Sequence, residues 1–424
     1  MLTSSAEVTF SMRTPKIVAV LCSSLFLYIV GVVLAVQSLF FMAAAVVGTV
    51  VASYLFSRLS LSALRVECSP ALAGHEDATV TLPLTVVNDG RLPRFLVTLE
   101  LRLPAGLTCL SQQGELFAPL IPAAGRWEVV ATMRLDKRGA YRLTDARVSA
   151  VDPLGMFGSS RPFPVPAEIL AYPQIVPLLG PALSERSDWG AAEPSHRELT
   201  PGGEEFHGVR QHVPGDGLRR VHWKSTARHG RFHVIEFAQP VSRSVSLILD
   251  TSAGADAGQG RETTFEYACR LAASLLWHCH QHGGRGDLFI PSTNGGPAAA
   301  VVSQSSGATG DWFRAALCAL ARAEPSTTDP FDAAVLKTIA SADPRGQCLL
   351  LSSSLSTRLP HAARLLTDRL DSVTVVLFDA LSFAPQSRAP SVAEVGKALL
   401  PLGVALVPCR KGQDLSRCLM ERTQ

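Results

Sequence analysis

From Ile17 to Phe56 the chain carries no charged residue. Two apolar runs fill this stretch, IVAVLCSSLFLYIVGVVLAV and LFFMAAAVVGTVVASYLF, parted only by Gln37 and Ser38. A membrane-spanning helix needs about 20 apolar residues. The pattern therefore predicts a transmembrane helical hairpin over 17–57, turning at Gln37–Ser38, after a short N-terminal segment 1–16. A cleaved leader has an apolar core of only about 7–15 residues, too short to account for this run.

Past the hairpin the period changes to two. Segments 78–88 (ATVTLPLTVVN), 95–103 (FLVTLELRL), 127–135 (WEVVATMRL) and 141–151 (YRLTDARVSAV) alternate apolar and polar residues, with turn signals such as Asn88-Asp89-Gly90 and Pro104-Ala105-Gly106 between them. Alternation with regular turns predicts a small antiparallel β-sandwich over 66–177. Asp152-Pro153-Leu154-Gly155-Met156-Phe157 reads as a tight turn leading out of it. The stretch 178–203 is rich in Pro and Gly and reads as a linker. From 241 to 424, strand-like runs (244–250, 287–291, 347–352, 372–378, and VALVPC near the end) alternate with amphipathic helical ones (263–281, 312–323, 331–342, 361–370, VAEVGKALL). That alternation predicts a doubly wound, mostly parallel α/β sheet. In such sheets ligands bind beyond the carboxyl ends of the strands, and Asp250 sits at one such end. Arg285-Gly286-Asp287 reads as the turn before a strand.

Charge orients the hairpin. Arg13 and Lys16 precede it, Arg58 and Arg65 follow it, and its turn has none. Positive flanks stay cytoplasmic, which puts both ends and the soluble domains in the cytoplasm. The nine cysteines are scattered, odd in number and without a C-x-x-C pair, as a reducing compartment allows. A formal net charge of +3 on 424 residues implies no general affinity for nucleic acid.

The most unusual stretch, 204–240, lies between sandwich and sheet. Within 207–233 there are six Lys or Arg, five His and one acid, Asp216. His229 and His233 are four apart, but R-F-H-V-I-E-F reads as a strand, where that spacing separates side chains by about 13 Å, too far for one zinc. Asp216 after Gly215 reads as fixing a reversal between two strands. Trp223 reads as a packing anchor. No nucleophile–base pair is recognisable.

Glu205-Phe206, Arg210, Pro214-Gly215-Asp216, Arg219-Arg220-Val221-His222-Trp223-Lys224 and Ala227-Arg228 are spaced as in the signature of domain-of-unknown-function family fifty-eight, bacterial membrane-anchored proteins with a von Willebrand factor type A-like domain. The chain resembles that family from hairpin to sheet, with the Asp152–Phe157 segment as a second landmark. His212 stands where the family usually has Tyr. The resemblance implies a type A-like fold for 241–424, a bacterial inner-membrane protein, and partnership with a MoxR-type AAA+ ATPase or a transglutaminase-like membrane protein. It implies no reaction. Type A domains often hold Mg²⁺ through a D-x-S-x-S strand end, a loop Thr and a later Asp. Asp250, Ser252 and Thr327 or Thr328 match three of those positions, but Gly254 replaces the second Ser and Ser353-Ser354, with no Asp, closes the 347–352 strand. A tight Mg²⁺ site is not expected, and no other cofactor is. The expectation is a membrane-anchored interaction protein, not an enzyme, docking through Glu205, Phe206, Arg210, Gly215, Asp216, Arg219, Arg220, His222, Trp223 and Arg228. The alternative is a metal- or anion-dependent hydrolase or ligand-binding enzyme using Asp250, Ser252 and the basic signature.

Overall fold

The computed structural model describes residues 9–12, 14–111, 115–178, 205–211, 221–238, 244–252, 254–281, 285–290, 300–302, 311–325, 335–336, 339–340, 347–370, 372–386 and 389–418. The linker at 178–203 falls almost wholly outside them. The chain divides into two compact units, Met1–Gln174 and Ile175–Gln424.

The first unit opens with β1 (Thr9–Met12), α1 (Thr14–Leu34) and α2 (Gln37–Ser60). Both helices are long and apolar enough to cross a membrane, and most of their large side chains are exposed, Val33 by 75% and Phe41 by 68%. A helix in a protein core would bury them. The turn lies two residues earlier than expected. Ala35 takes φ +52°, and the Val36 N–H donates to the Gly31 carbonyl at 3.2 Å. A left-handed residue after the last helical turn with a six-to-one hydrogen bond closes α1 as a Schellman motif, leaving Gln37 to start α2. Small residues let the helices approach. A Cβ on Gly31 would stand 3.1 Å from Leu39 Cβ, and Ser24 Oγ donates to the Ala43 carbonyl at 2.9 Å. Hairpins in an apolar medium pack through such contacts.

The remainder of this unit is built from β2 (Leu64–Cys68), β3 (Ala71–His75), β4 (Thr79–Asn88), β5 (Arg94–Leu101), β6 (Leu107–Cys109), β7 (Glu115–Ile121), β8 (Arg126–Leu135), β9 (Gly139–Val151) and β10 (Phe157–Tyr172). One sheet runs β1-β10-β9-β5-β7 with β3 beside β10; the other runs β2-β4-β8-β6. Their facing residues, among them Leu82, Leu84, Val86, Val97, Leu99, Met133, Val148 and Ile169, form one core. Burying each large apolar side chain contributes about 1.5–3 kcal/mol. All pairs are antiparallel except β3 with β10.

Asp152 does not lead out of the sandwich: its turn joins β9 to β10. The strand β10 escaped the sequence pattern because Pro162, Pro164 and Pro166 interrupt it. Residues 157–160 of β10 pair with β1 and residues 168–172 with β3. The prolines fall between these partners, with β9 paired along the other edge and a register shift after Pro164; strands accept Pro at open edges and bulges.

In the second unit β11 (Glu205–Gln211), α3 (Trp223–His229) and β12 (His233–Ala238) precede an α/β region. That region contains β13 (Ser244–Leu249), α4 (Thr264–Gln281), β14 (Arg285–Ile290), β15 (Ala300–Val302), α5 (Asp311–Arg322), β16 (Gln347–Ser353), α6 (Leu359–Thr367), β17 (Ser372–Phe378), α7 (Val392–Leu399) and β18 (Ala405–Cys409). The sheet order is β15-β14-β13-β16-β17-β18, with β15 antiparallel and the other pairs parallel. Six consecutive residues of β16 and of β17 are buried, as befits strands covered on both faces. Residues of α6 and α7 share a core cluster with Ile248, Leu350 and Val375; the buried residues of α4 lie outside that cluster. Arg285-Gly286-Asp287 is within β14, paired with β13, rather than a turn ahead of it. Of the helix expected over 331–342, only 335–336 and 339–340 are described, and both pairs are helical.

Candidate functional site

Two places gather the residues singled out by sequence. The first is the carboxyl edge of the sheet. The chain leaves β13 toward β14 on one side and returns to β16 on the other, so the order reverses between β13 and β16. A crevice opens at such a switch point. Asp250 follows β13 and is 6% exposed. Its Oδ1 accepts from the Ser252 N–H at 2.9 Å and from Ser252 Oγ at 2.5 Å. Its Oδ2 accepts from Ser352 Oγ at 2.5 Å. Ser353 Oγ donates to the Ala255 carbonyl, and Ser354 Oγ accepts from the Ala380 N–H at 3.0 Å. The Ser352-Ser353-Ser354 run thus ties three strand ends together. Asp256 lies on the same rim, its Oδ1 accepting from the Phe265 N–H and Thr264 Oγ1, each at 3.1 Å.

Mg²⁺ demands octahedral oxygen ligation, and a cation here would have to displace the donors that now engage Asp250. One buried carboxylate is present, with both oxygens engaged by hydroxyls and an N–H. Asp256 is exposed and tied to the start of α4. Thr328 lies outside the described residues. Among the described residues no group of three or more His, Cys, Asp or Glu side chains could hold a metal. Among the described residues the cavity measures about 10 Å³. Calorimetric titration of the detergent-solubilised chain with Mg²⁺ or Mn²⁺ is expected to show no micromolar site. Tight binding that Asp250→Ala abolishes would contradict this. Elsewhere in this unit burial pushes the Cys279 and Cys348 thiols up to about 12, far from the thiolate state at neutral pH.

The second place is the signature. β11 and β12 pair antiparallel, and Val221 bridges Val234; both valines are buried. His222 caps α3: its Nδ1 accepts from the Ser225 N–H at 3.3 Å and lies 2.7 Å from Ser225 Oγ. Gly230, at φ +65°, ends the helix, and Thr226 Oγ1 accepts from the His233 N–H at 3.0 Å. The helix buries none of its residues.

Two expectations need correction. Trp223 is no packing anchor. It is 67% exposed, and its aromatic contact among the described residues is edge-on with Phe232, itself 50% exposed, at a centroid distance of 6.5 Å. A seven-residue helix with no buried face gives it nothing to anchor. Likewise His229 and His233 do not share a strand. Gly230 folds the chain back between them and brings their rings to 5.2 Å. His233 Nδ1 is occupied by the Arg231 carbonyl at 2.7 Å, and the pair has no third ligand among the described residues. Around Trp223 and Phe232 lie the exposed Lys224, Arg228 and Arg231. Gly215, Asp216, Arg219 and Arg220 fall outside the described residues; of Glu205, Phe206 and Arg210 only the backbone, in β11, is described. Ser352 and Asp256 were not anticipated, although a serine run closing a buried strand was a visible signal.

Residues 208–384 match the model of a family described as "Protein of unknown function DUF58". The matched segment runs from within β11 through α3 and the sheet as far as β17. The hairpin, the sandwich and the Asp152 turn lie outside the match. No curated protein matches the chain. Among solved structures it is similar to the secreted serine protease VesC from Vibrio cholerae, at 8% identity over 29% of this chain and 26% of that one, TM-score 0.18. The Vibrio cholerae VesB protease is similar at 13% identity over 28% and 34%, TM-score 0.17. CaCohA2 from Clostridium acetobutylicum is similar at 12% over 26% and 94%, TM-score 0.16. The chain thus spans about a quarter to a third of the proteases' length, and superpositions this poor carry no argument about fold or activity.

The exposure of Trp223 makes a simple prediction. Trp223→Ala should change the stability of the chain by less than about 1 kcal/mol, as for a surface substitution. A loss of several kcal/mol in thermal melts would show that the indole is buried after all.

Proposed function

We propose that this chain is a bacterial membrane-anchored interaction protein. Its hairpin holds it in the inner membrane, and the DUF58 segment docks a MoxR-type AAA+ ATPase during assembly or maturation of envelope components. The observation that carries the docking reading is the surface of α3. Trp223 and Phe232 stand exposed among Lys224, Arg228 and Arg231, without an acid between Trp223 and His233. Aromatic and Arg side chains are the residues that anchor protein interfaces. The sheet order, with the third strand antiparallel at the edge, supports a von Willebrand factor type A-like reading of 241–424. The hydrolase alternative has less support, because both oxygens of Asp250 are already engaged by hydroxyls and an N–H.

Two measurements test this reading. Reporters fused to the N-terminus and after Gln424 should both report cytoplasm, since positive flanks stay on that side; a periplasmic signal from the C-terminal fusion would refute the orientation. Affinity capture with the detergent-solubilised full chain should recover the MoxR-type ATPase of the same cell. Failure of the purified ATPase to bind would remove the docking reading.

A further inference from the structure

The end of the sandwich that receives α2 has a character of its own. Three features of the first unit surround the last turns of this helix. In the β4–β5 loop the Asp89 N–H donates to the Ala63 carbonyl at 2.8 Å, and where that loop enters β5 Arg94 Nη2 donates to the Ser62 carbonyl at 2.8 Å. At the strand tips, the Phe95 ring stands 5.8 Å from Phe56, and Phe95 pairs with Leu120 of β7. In the β9–β10 turn, Asp152 Oδ2 accepts from Ser53 Oγ, and the Phe157 ring meets Tyr54 at 5.6 Å. Each feature presents one exposed leucine: Leu92 at 46%, Leu120 at 48% and Leu154 at 51%. Exposed cations flank them, namely Lys16, Arg58, Arg91 and Arg126. The nearby acid Asp89 is paired with Arg65 at 2.5 Å.

Helix length sets the depth of this end. The 24 residues of α2 span roughly 36 Å at about 1.5 Å per residue. A hydrocarbon core of about 30 Å takes roughly 20 of them, so a core that begins at Gln37 ends near Phe56. The β9–β10 turn reaches past that limit. It touches Ser53, and Met156 and Phe157 pack with Ile17, Val20 and Val50. Asp152 tolerates such a place because both its oxygens are satisfied by donors from the chain.

We propose that this end of the sandwich is a membrane-docking surface. Leu92, Leu120 and Leu154 seat in the boundary between headgroups and acyl chains of an anionic bilayer, and Lys16, Arg58, Arg91 and Arg126 face the lipid phosphates. The sandwich then rests on the membrane as one body with the hairpin instead of hanging from it. Apolar tips ringed by cations bind anionic lipid surfaces in this way. The inference rests on the anchoring reading above.

The test uses the full chain reconstituted in vesicles of phosphatidylethanolamine and phosphatidylglycerol. A photo-crosslinking benzoylphenylalanine replaces Leu92, Leu120 or Leu154 singly. Val33, 75% exposed in the hairpin, and Leu110, 48% exposed at the opposite end of the sandwich beside β6, serve as references. Lipid adducts are expected at 33, 92, 120 and 154, with none above background at 110. Adducts at 33 but at none of the three leucines would overturn the inference and leave the anchor standing; a surface made for a protein partner would give that result. No adduct at 33 would show that the hairpin is not in the bilayer, and both readings would fall. Adducts at 110 equal to those at the three leucines would also overturn it.

Discussion

Asp152→Ala is expected to lower the melting temperature of the first unit, in the detergent-solubilised full chain, by roughly 6–20 °C. The carboxylate is fully buried. Its Oδ1 accepts from the Met156 N–H at 2.8 Å and the Phe157 N–H at 2.6 Å, and its Oδ2 from the Leu154 N–H at 3.0 Å and from Ser53 Oγ. Alanine removes the acceptor of three backbone donors. Each buried donor left without a partner costs about 1–3 kcal/mol; those of Met156 and Phe157 are buried and that of Leu154 is half-buried, so the loss is about 3–5 kcal/mol, at the upper end of single substitutions. In a unit of this size 1 kcal/mol shifts Tm by about 2–4 °C. The reference is Asp145→Ala, which removes a partly exposed carboxylate 3.9 Å from Arg102 and should cost less than about 1 kcal/mol. Equal shifts for the two variants would show that the Asp152 turn does not hold α2 to the sandwich.

What was legible in the sequence followed from periodicity over long windows. The uncharged run gave two helices, the alternating segments gave β4, β5, β8 and β9, and the buried strands of the α/β region fell within a few residues of their expected bounds. Short-range geometry was not legible. The hairpin turn rests on Ala35 in a left-handed conformation that nothing in its side chain announces. The strand β10 hides behind prolines that only its pairing partners explain. His229 and His233 needed the reversal at Gly230 to come together. Trp223 misled because a lone aromatic among charges suggests burial, whereas α3 is too short, and too polar on every side, to own a core face. At the sheet edge Asp250 and Ser252 were readable from the strand end. Ser352 was not, because its role depends on which strand lies beside β13.

The exposed α3 surface leads to the second large effect. Replacing Lys224, Arg228 and Arg231 together by Glu should slow association with the MoxR-type ATPase at least roughly tenfold at low salt, because charge complementarity acts mainly on the encounter rate. The difference should shrink as salt rises, since exposed charges are screened over about 8 Å at physiological ionic strength. Trp223→Ala acts on the other rate. An exposed Trp that becomes the buried centre of an interface is worth about 2 kcal/mol or more, close to a thirtyfold loss of affinity, here expected as faster dissociation with little change in stability. Arg219 and Arg220 belong to the same basic signature, but the three described cations bear the test.

The most direct measurement is therefore the binding kinetics of the ATPase on the immobilised full chain, wild type beside the triple Glu variant and Trp223→Ala, each checked for an unchanged circular dichroism spectrum and melting curve. The account predicts slower association for the first variant and faster dissociation for the second. Wild-type kinetics in both folded variants would contradict it.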